Sequence, residues 1–156
     1  METDAVLDLM RTTAEDVITP RFRSLAEGEV FTKDHPGDLV TVADREAETV
    51  LTAGLRRGYP DAMILGEEAA AADPGLLDAF AAAEHSFTID PIDGTHNFVH
   101  GNPDHAVMIA ELRAGEVVRS WIWQPEHQLA FVAERGAGCY RNGERLPQLT
   151  PSSEAG

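Results

Sequence analysis

The chain has 156 residues, of which 43% are hydrophobic, so it is long enough for about one domain with a real core. Its 27 acidic and 12 basic side chains give a formal net charge of −15, which argues against nucleic-acid binding and against an anionic membrane surface. A single cysteine, Cys139, excludes an intramolecular disulfide framework. Because the acidic N-terminus lacks a signal-peptide pattern, we expect a soluble, cytoplasmic protein.

Two amphipathic helices are predicted in the first third of the chain. Apolar residues recur at helical spacing from Val6 to Ile18, and Pro20 should kink or end that helix. A second apolar stripe runs from Ala43 to Leu55 and closes at Gly58. The segment from Phe31 to Asp38 between the two helices is predicted to be a loop.

Two short apolar runs, each followed by acidic residues, predict a pair of buried strands. Met63-Ile64-Leu65 runs directly into Gly66-Glu67-Glu68, and Ser86 to Ile89 places Asp90 at the end of the second strand. Two such strands can bring their carboxylates together at one edge of a sheet, which predicts a joint metal site. The alternative is that these side chains only solvate the ends of the strands.

The connection between these strands is predicted to hold a loop and a short helix. Residues Ala69 to Ala72 are predicted to form a mobile loop beside the metal site. Asp73-Pro74 is typical of an N-cap followed by a first-turn proline, so a short helix is predicted from there through Ala83.

The second half of the chain is predicted to form an antiparallel meander. Apolar and polar residues alternate from Val107 to Leu112, and Ala114-Gly115 turns the chain into a second strand that contains Trp121 and Trp123. Further turns predict at least one more hairpin. The predicted fold class is therefore α+β, with two helices packed on an antiparallel sheet. The two tryptophans are interpreted as core or interface residues in preference to a substrate-stacking role.

The most specific motif is the run from Asp90 to Phe98, Asp-Pro-Ile-Asp-Gly-Thr-His-Asn-Phe. It places two carboxylates three residues apart, with a glycine and a hydroxyl directly behind them. Carboxylate oxygens are the ligands that Mg²⁺ prefers, and Mg²⁺ commonly joins them to substrate phosphate oxygens. The backbone N–H groups of Gly94 and Thr95 add an anion-binding geometry. Asp-Gly pairs are also ordinary turn formers, so the motif gains weight from the second acidic run upstream.

The sequence Asp-Gly-Thr also occurs at the end of the signature of one known class of phosphatases. Enzymes resembling the haloacid dehalogenases use an aspartate as nucleophile and need two aspartates two residues apart after a strand. Asp90 and Asp93 are three apart. We therefore expect water to attack the phosphate ester directly, without an aspartyl-phosphate intermediate.

Several ordered motifs together resemble the N-terminal half of the inositol monophosphatase family, the Mg²⁺-dependent, lithium-sensitive sugar phosphatases. The resemblance begins near Lys33 and covers most of the chain, through four motifs: Gly37 to Asp44, Gly66 to Glu68, Asp90 to Phe98 and Arg141 to Glu144. The metal ligands that it implies are Glu67, Asp90, Asp93 and the backbone carbonyl of Ile92.

The same resemblance assigns catalytic and substrate-binding roles. Asp44 with Thr95 would orient and deprotonate the attacking water, and Glu67 could also take a proton. Gly94 and Thr95 would contact the phosphate. The substrate-binding set also includes Asp93 and, through a family loop lysine that faces the active site, Lys33.

The chemistry implied is hydrolysis of a small-molecule phosphate monoester by a metal-activated water, with two or more Mg²⁺ ions and inhibition by lithium. Inositol monophosphate is the favoured substrate. Histidinol phosphate, a sugar bisphosphate or 3′-phosphoadenosine 5′-phosphate are the alternatives within the same family. A non-catalytic metal-binding or interaction module is the alternative from another class.

The resemblance stops where the chain stops. Family members continue for roughly another hundred residues, the size of a second domain, with a Trp-Asp-containing motif whose aspartate completes the metal site. We predict an N-terminal metal- and phosphate-binding domain over 1–146 and a loose tail or linker over 147–156. Without the missing carboxylate we expect weak Mg²⁺ binding and poor turnover. Family members are commonly dimers, so a homodimer is a further expectation.

Overall fold

The structure of the chain, a computed structural model, describes residues 1–33 and 38–148. Helix α1 spans Thr3–Thr13 and continues as a π-helical turn over Ala14–Ile18 and a 3₁₀ turn over Thr19–Arg21. The predicted first helix is therefore correct in extent, and the proline at position 20 lies in its last turn. Helix α2 spans Val42–Gly58, as the apolar stripe predicts.

Nine strands and three short helices make up the rest of the described fold. Strands β1 and β2 (Val30–Thr32 and Leu39–Thr41) form a separate antiparallel ribbon. The other strands are β3 Met63–Gly66, β4 His85–Asp93, β5 Ala106–Arg113, β6 Glu116–Gln124, β7 Leu129–Glu134, β8 Gly138–Arg141 and β9 Glu144–Arg145. The short helices are α3 Glu67–Ala72, α4 Leu76–Ala82 and α5 Thr95–Val99.

The seven strands β3 to β9 form one sheet in sequence order. Every neighbouring pair is antiparallel except β3 and β4, which are parallel. The α+β prediction is confirmed, but the sheet is mixed. Parallel neighbours need a crossover connection, and α3 and α4 form that connection between β3 and β4.

The core lies between the sheet and the two long helices. Inward-facing residues of β4, β5 and β6 alternate with outward-facing ones, and α1 and α2 cover the inward face. The fully buried large side chains include Trp121, Phe87, Phe98, Met10, Leu51 and Leu55. Trp121 is 0% exposed and Trp123 is 6% exposed, so the tryptophans are core residues and their rings do not offer an interface.

Three local predictions were wrong. Ala69 to Ala72 belong to helix α3, because a run of four alanines has the highest helix propensity of any sequence. Helix α4 begins at Leu76, later than the Asp73-Pro74 pair; the Asp73 side chain accepts from Gly75 N at 3.0 Å and closes a turn before it. Strand β4 does not end at Ile89 but runs to Asp93, with a bulge after Asp90.

The segment predicted as a loop between the long helices is partly strand. Phe31 and Thr32 belong to β1, and β2 begins at Leu39. Lys33 and Asp38 belong to neither strand, and residues 34–37 of that prediction lie outside the described residues, as do 149–156 of the predicted tail. Within the described part of the chain, no helix combines the length and apolar character needed to cross a membrane.

A charged cluster joins β4, β5 and β6 beneath the N-terminus. Glu111 is 2% exposed and accepts from Arg119 Nε, and its other oxygen lies 2.9 Å from His85 Nε2. Arg119 also donates to Thr3 Oγ1 at 3.0 Å and to Tyr59 Oη at 2.7 Å. The cluster therefore fastens the start of α1 to three neighbouring strands.

Candidate metal and phosphate site

Strand register brings the two acidic motifs together. The parallel pairing aligns Gly66 of β3 with Ile89 of β4. The next residue along the chain is a carboxylate in both cases, Glu67 at the start of α3 and Asp90 within β4, so the two residues are neighbours at the end of β3. This is the juxtaposition that the sequence predicts for the ends of these strands.

Asp90 lies beside two other carboxylates, those of Glu67 and Asp93. Its Oδ1 is buried and has no hydrogen-bond partner among the described residues. Burial, and after it the neighbouring Glu67 and Asp93 carboxylates, raise the pKa of Asp90 to about 8. An unpartnered buried carboxylate oxygen beside other acidic groups needs a proton or a cation.

The bulge in β4 turns Asp93 toward the same region. The regular register ends at Asp90, and pairing with β5 resumes at Asp93 opposite Ala106. Asp93 is exposed, whereas Ile92 is buried. Gly94 follows with φ of +83°, and a Cβ there would lie 3.0 Å from the carbonyl oxygen of Asp104, so the turn into α5 requires glycine.

Helix α2 contributes Asp44, which contacts the start of α5. Asp44 is fully buried, and its Oδ1 accepts from Thr95 Oγ1 at 3.0 Å. Its Oδ2 accepts from the backbone N–H of Thr41 at 2.8 Å and from the Thr41 hydroxyl, which completes a capping box at the start of α2. Burial raises the pKa of Asp44, and these hydrogen bonds oppose the rise. Thr95 Oγ1 also lies 3.0 Å from the carbonyl oxygen of Ile92.

Lys33 reaches the site from the end of β1. Its Nζ lies 2.7 Å from Glu67 Oε1 and 2.8 Å from Glu68 Oε1, and its side chain is only 13% exposed. Burial lowers the pKa of Lys33, but the hydrogen bonds and charges of the two glutamates outweigh it and the net shift is upward. Lys33 therefore pairs with both carboxylates that follow β3.

Two site residues were missed by the sequence reasoning. Glu68 was quoted within the motif but given no role, and it shares the Lys33 ammonium with Glu67. Glu48 was not singled out at all, although it is 8% exposed and lies one turn after Asp44 on α2. A glutamate on the apolar face of an amphipathic helix was the available signal.

The side chains present fit a small, hard cation. The groups at this edge are carboxylate and carbonyl oxygens, the ligand set of Mg²⁺, and Asp90 has an oxygen without a partner. Over residues 1–33 and 38–148, no three His, Cys, Asp or Glu side chains already converge as a finished metal cluster. The Lys33 ammonium lies against Glu67 and provides its counter-charge.

The site thus combines carboxylates at one end of the β3–β4 pair with the buried Asp44–Thr95 pair and the glycine turn at Gly94. The family model of the inositol monophosphatase family matches residues 2–155. The chain belongs to the inositol monophosphatase family.

Relatives and solved structures agree with that assignment. "Nus factor SuhB" of Pseudomonas aeruginosa is 38% identical over 128 residues, which are 80% of this chain and 45% of that protein. An inositol-1-monophosphatase of Mesorhizobium japonicum is 39% identical over 111 residues, 71% of this chain and 40% of that protein. The solved structure of a Thermotoga maritima IMPase superimposes with a TM-score of 0.82 at 30% identity, covering 96% of this chain and 54% of that one. The chain spans about half the length of these relatives.

Proposed function

We propose that this chain carries the metal- and phosphate-binding half of a Mg²⁺-dependent phosphomonoesterase, with inositol monophosphate as the first substrate to test. The observation that carries the proposal is the unpartnered buried Oδ1 of Asp90 beside Glu67, in a chain of this family. A phosphate monoester is a dianion, and it would be repelled by these carboxylates unless cations reversed the local charge.

The residues that would hold the cation are Glu67, Asp90, Asp93 and the carbonyl of Ile92. When bound, Mg²⁺ supplies charge neutralisation at the ester and orients and acidifies the attacking water. We expect two or more ions with substrate present, and inhibition by lithium. Glu67 takes part once its oxygen is released by Lys33, which now lies 2.7 Å away.

Asp44 and Thr95 are the proposed proton-handling pair. Thr95 donates its hydroxyl proton to Asp44 at 3.0 Å, which leaves the lone pairs of its oxygen free to accept from a water at the site. Asp44 is itself held by two donors from Thr41, so this acceptor for the Thr95 hydroxyl is in place before substrate binds. Glu67 is the second candidate proton acceptor.

The phosphate is proposed to lie against the turn at Gly94 and Thr95, with Asp93 at its edge. Lys33 is the cation available to the substrate when it exchanges Glu67 for a phosphate oxygen. Lysine is suited to this role because its ammonium is a compact charge on a flexible stem. The names of the relatives favour inositol monophosphate, and histidinol phosphate, a sugar bisphosphate and 3′-phosphoadenosine 5′-phosphate are the other candidates.

Phosphate release from these substrates, with and without Mg²⁺ and with added lithium, tests the proposal together with calorimetric titration of Mg²⁺ into the chain. Asp90→Asn should remove both Mg²⁺ binding and hydrolysis. Asp78→Asn is the matched control, because Asp78 is an exposed aspartate on α4 and is not a proposed ligand.

The outcomes distinguish a phosphatase from a non-catalytic metal-binding module. Magnesium-dependent release that is lost in Asp90→Asn and kept in Asp78→Asn supports the phosphatase. Mg²⁺ binding without release on any substrate supports the non-catalytic metal-binding module instead. A chain that binds no Mg²⁺ overturns the proposal. A possible homodimer is checked in the same preparation by light scattering.

A further inference from the structure

Glu48 occupies an unusual position beside the metal site. Its side chain crosses from α2 to the first turn of α3, where Oε2 accepts from the backbone N–H of Glu68 at 2.7 Å and Oε1 accepts from that of Ala69 at 3.0 Å. Both carboxylate oxygens are therefore used by backbone donors, and Glu48 is 8% exposed. A carboxylate with both oxygens engaged in this way acts on the backbone and is not an additional metal ligand.

The residue before α3 makes room for this carboxylate. Gly66 is the N-cap residue of α3 and has no side chain with which to cap it. Its φ of −89° and ψ of 159° are open to any residue, so glycine is not needed there for backbone freedom. A Cβ on Gly66 would instead lie 2.0 Å from the carboxylate carbon of Glu48. Glycine is required because Glu48 fills that space.

Glu48 thus replaces the missing N-cap side chain of α3 from another helix. The first N–H groups of a helix have no partner within the helix, and a side-chain oxygen usually accepts from the second or third of them. Glu68 and Ala69 are the second and third residues of α3. The first residue of α3 is Glu67, the proposed metal ligand, so the cap fixes the turn that carries it.

We propose that Glu48 is a positioning residue of the metal site: its carboxylate, seated against Gly66, caps α3 and fixes where Glu67 presents its oxygens to the cation. The inference rests on the proposed function because it takes Glu67 as a ligand. It also gives α2 a double role, since Asp44 and Glu48 lie one helical turn apart and hold Thr95 and the Glu67 turn respectively.

Three variants test the capping role in the 156-residue chain, with two measurements each. Glu48→Ala removes both acceptors, and Glu48→Gln keeps the side-chain volume but only one acceptor oxygen. The double variant Glu48→Ala/Gly66→Ser moves the acceptor to the N-cap residue itself, where serine is a preferred cap. Amide hydrogen exchange of Glu68 and Ala69 is measured without metal, and the Mg²⁺ dissociation constant is measured by calorimetry.

Glu48→Ala should accelerate exchange at Glu68 and Ala69 and weaken Mg²⁺ binding about tenfold to a hundredfold, the usual effect of losing a partner that orients a ligand. Glu48→Gln should fold normally and show a smaller loss, and the double variant should recover part of both. Gly66→Ser alone should weaken protection and Mg²⁺ binding relative to the wild type, because its Cβ would lie 2.0 Å from the carboxylate carbon of Glu48 and displace it. Glu46→Ala is the control: it lies on the same helix, is half exposed and pairs with Arg21.

Each result is decisive. Unchanged amide exchange in both Glu48 variants overturns the capping. Faster exchange with Mg²⁺ affinity equal to that of the Glu46→Ala control overturns the positioning role. A wild-type chain with protected amides that binds no Mg²⁺ shows that the proposed function has failed, and the positioning role falls with it although the cap remains. A correlated loss of protection and affinity, restored in the double variant, supports the inference.

Discussion

The Thr95 hydroxyl has one proton and two acceptors at equal distance. Asp44 Oδ1 and the carbonyl oxygen of Ile92 both lie 3.0 Å from Thr95 Oγ1. The ionised form of Asp44 offers acceptor oxygens to Thr95 and to both groups of Thr41 at once. If the hydroxyl donates to Asp44, the oxygen of Thr95 can accept a hydrogen bond from water. If it donates to Ile92, it occupies the carbonyl oxygen that is proposed to bind the cation.

Replacing Thr95 separates proton handling from metal binding. Thr95→Ser keeps the hydroxyl and should keep most activity, whereas Thr95→Val should lower kcat about 10²-fold to 10⁴-fold, the range for a positioned acid or base. Mg²⁺ affinity should stay within a few-fold in both, because the hydroxyl is not a proposed ligand. The check is single-turnover phosphate release beside calorimetry. Equal rates for the serine and valine variants would show that the hydroxyl has no role in the chemistry.

The charged cluster around Glu111 links strands β4, β5 and β6 to the N-terminus. Burial raises the pKa of Glu111, but Arg119 and then His85 outweigh it, and the net shift is downward. Burial, and after it Arg113, lower the pKa of His85. A carboxyl whose pKa is lower in the folded state stabilises the fold at neutral pH, and the contribution is lost as the pH falls through that lowered value.

Glu111→Gln should therefore destabilise the chain by about 3 kcal/mol at pH 7, because Arg119 is left half-buried without its partner charge. The difference from the wild type should begin to shrink below about pH 4.3, the ordinary pKa of a glutamate in an unfolded chain, and should be lost as the pH falls through the lowered pKa of Glu111. Urea unfolding from neutral pH down to about pH 2 measures this. Glu116→Gln is the control, because it breaks an exposed pair with Arg135 and should cost under about 1 kcal/mol. Parallel stability curves for Glu111→Gln and the wild type would contradict the assignment.

The elements also show where reading the sequence succeeds. The two apolar stripes and the Asp90 to Phe98 motif are local patterns, and the structure has helices and a strand-turn-helix at those positions. The helix over Ala69 to Ala72 was predictable from alanine propensity, which the prediction of a loop left out of account. The Glu48 cap was not predictable, because it depends on how α2 and α3 meet in space.

For the whole molecule, the candidate site is assembled from segments far apart in the chain. Lys33 follows β1, Asp44 and Glu48 lie on α2, Glu67 begins α3, and Asp90 to Thr95 run from β4 into α5. In the unfolded chain the proposed ligands Glu67, Asp90 and Asp93 are not held together, so a cation that binds them jointly binds only the folded state. Metal binding must therefore be linked to the stability of the entire fold.

Magnesium should consequently raise the melting temperature. At a concentration 100 times the dissociation constant the linkage is about 2.7 kcal/mol, which corresponds to roughly 5 to 10 °C for a domain of this size. The formal charge of −15 means that any salt also relieves self-repulsion, so NaCl at matched ionic strength is the reference. Calorimetric melting should show the excess shift, its reversal by EDTA and its loss in Asp90→Asn. If NaCl produces the same shift, the cation acts only by screening, and the acidic edge of the sheet is not a binding site.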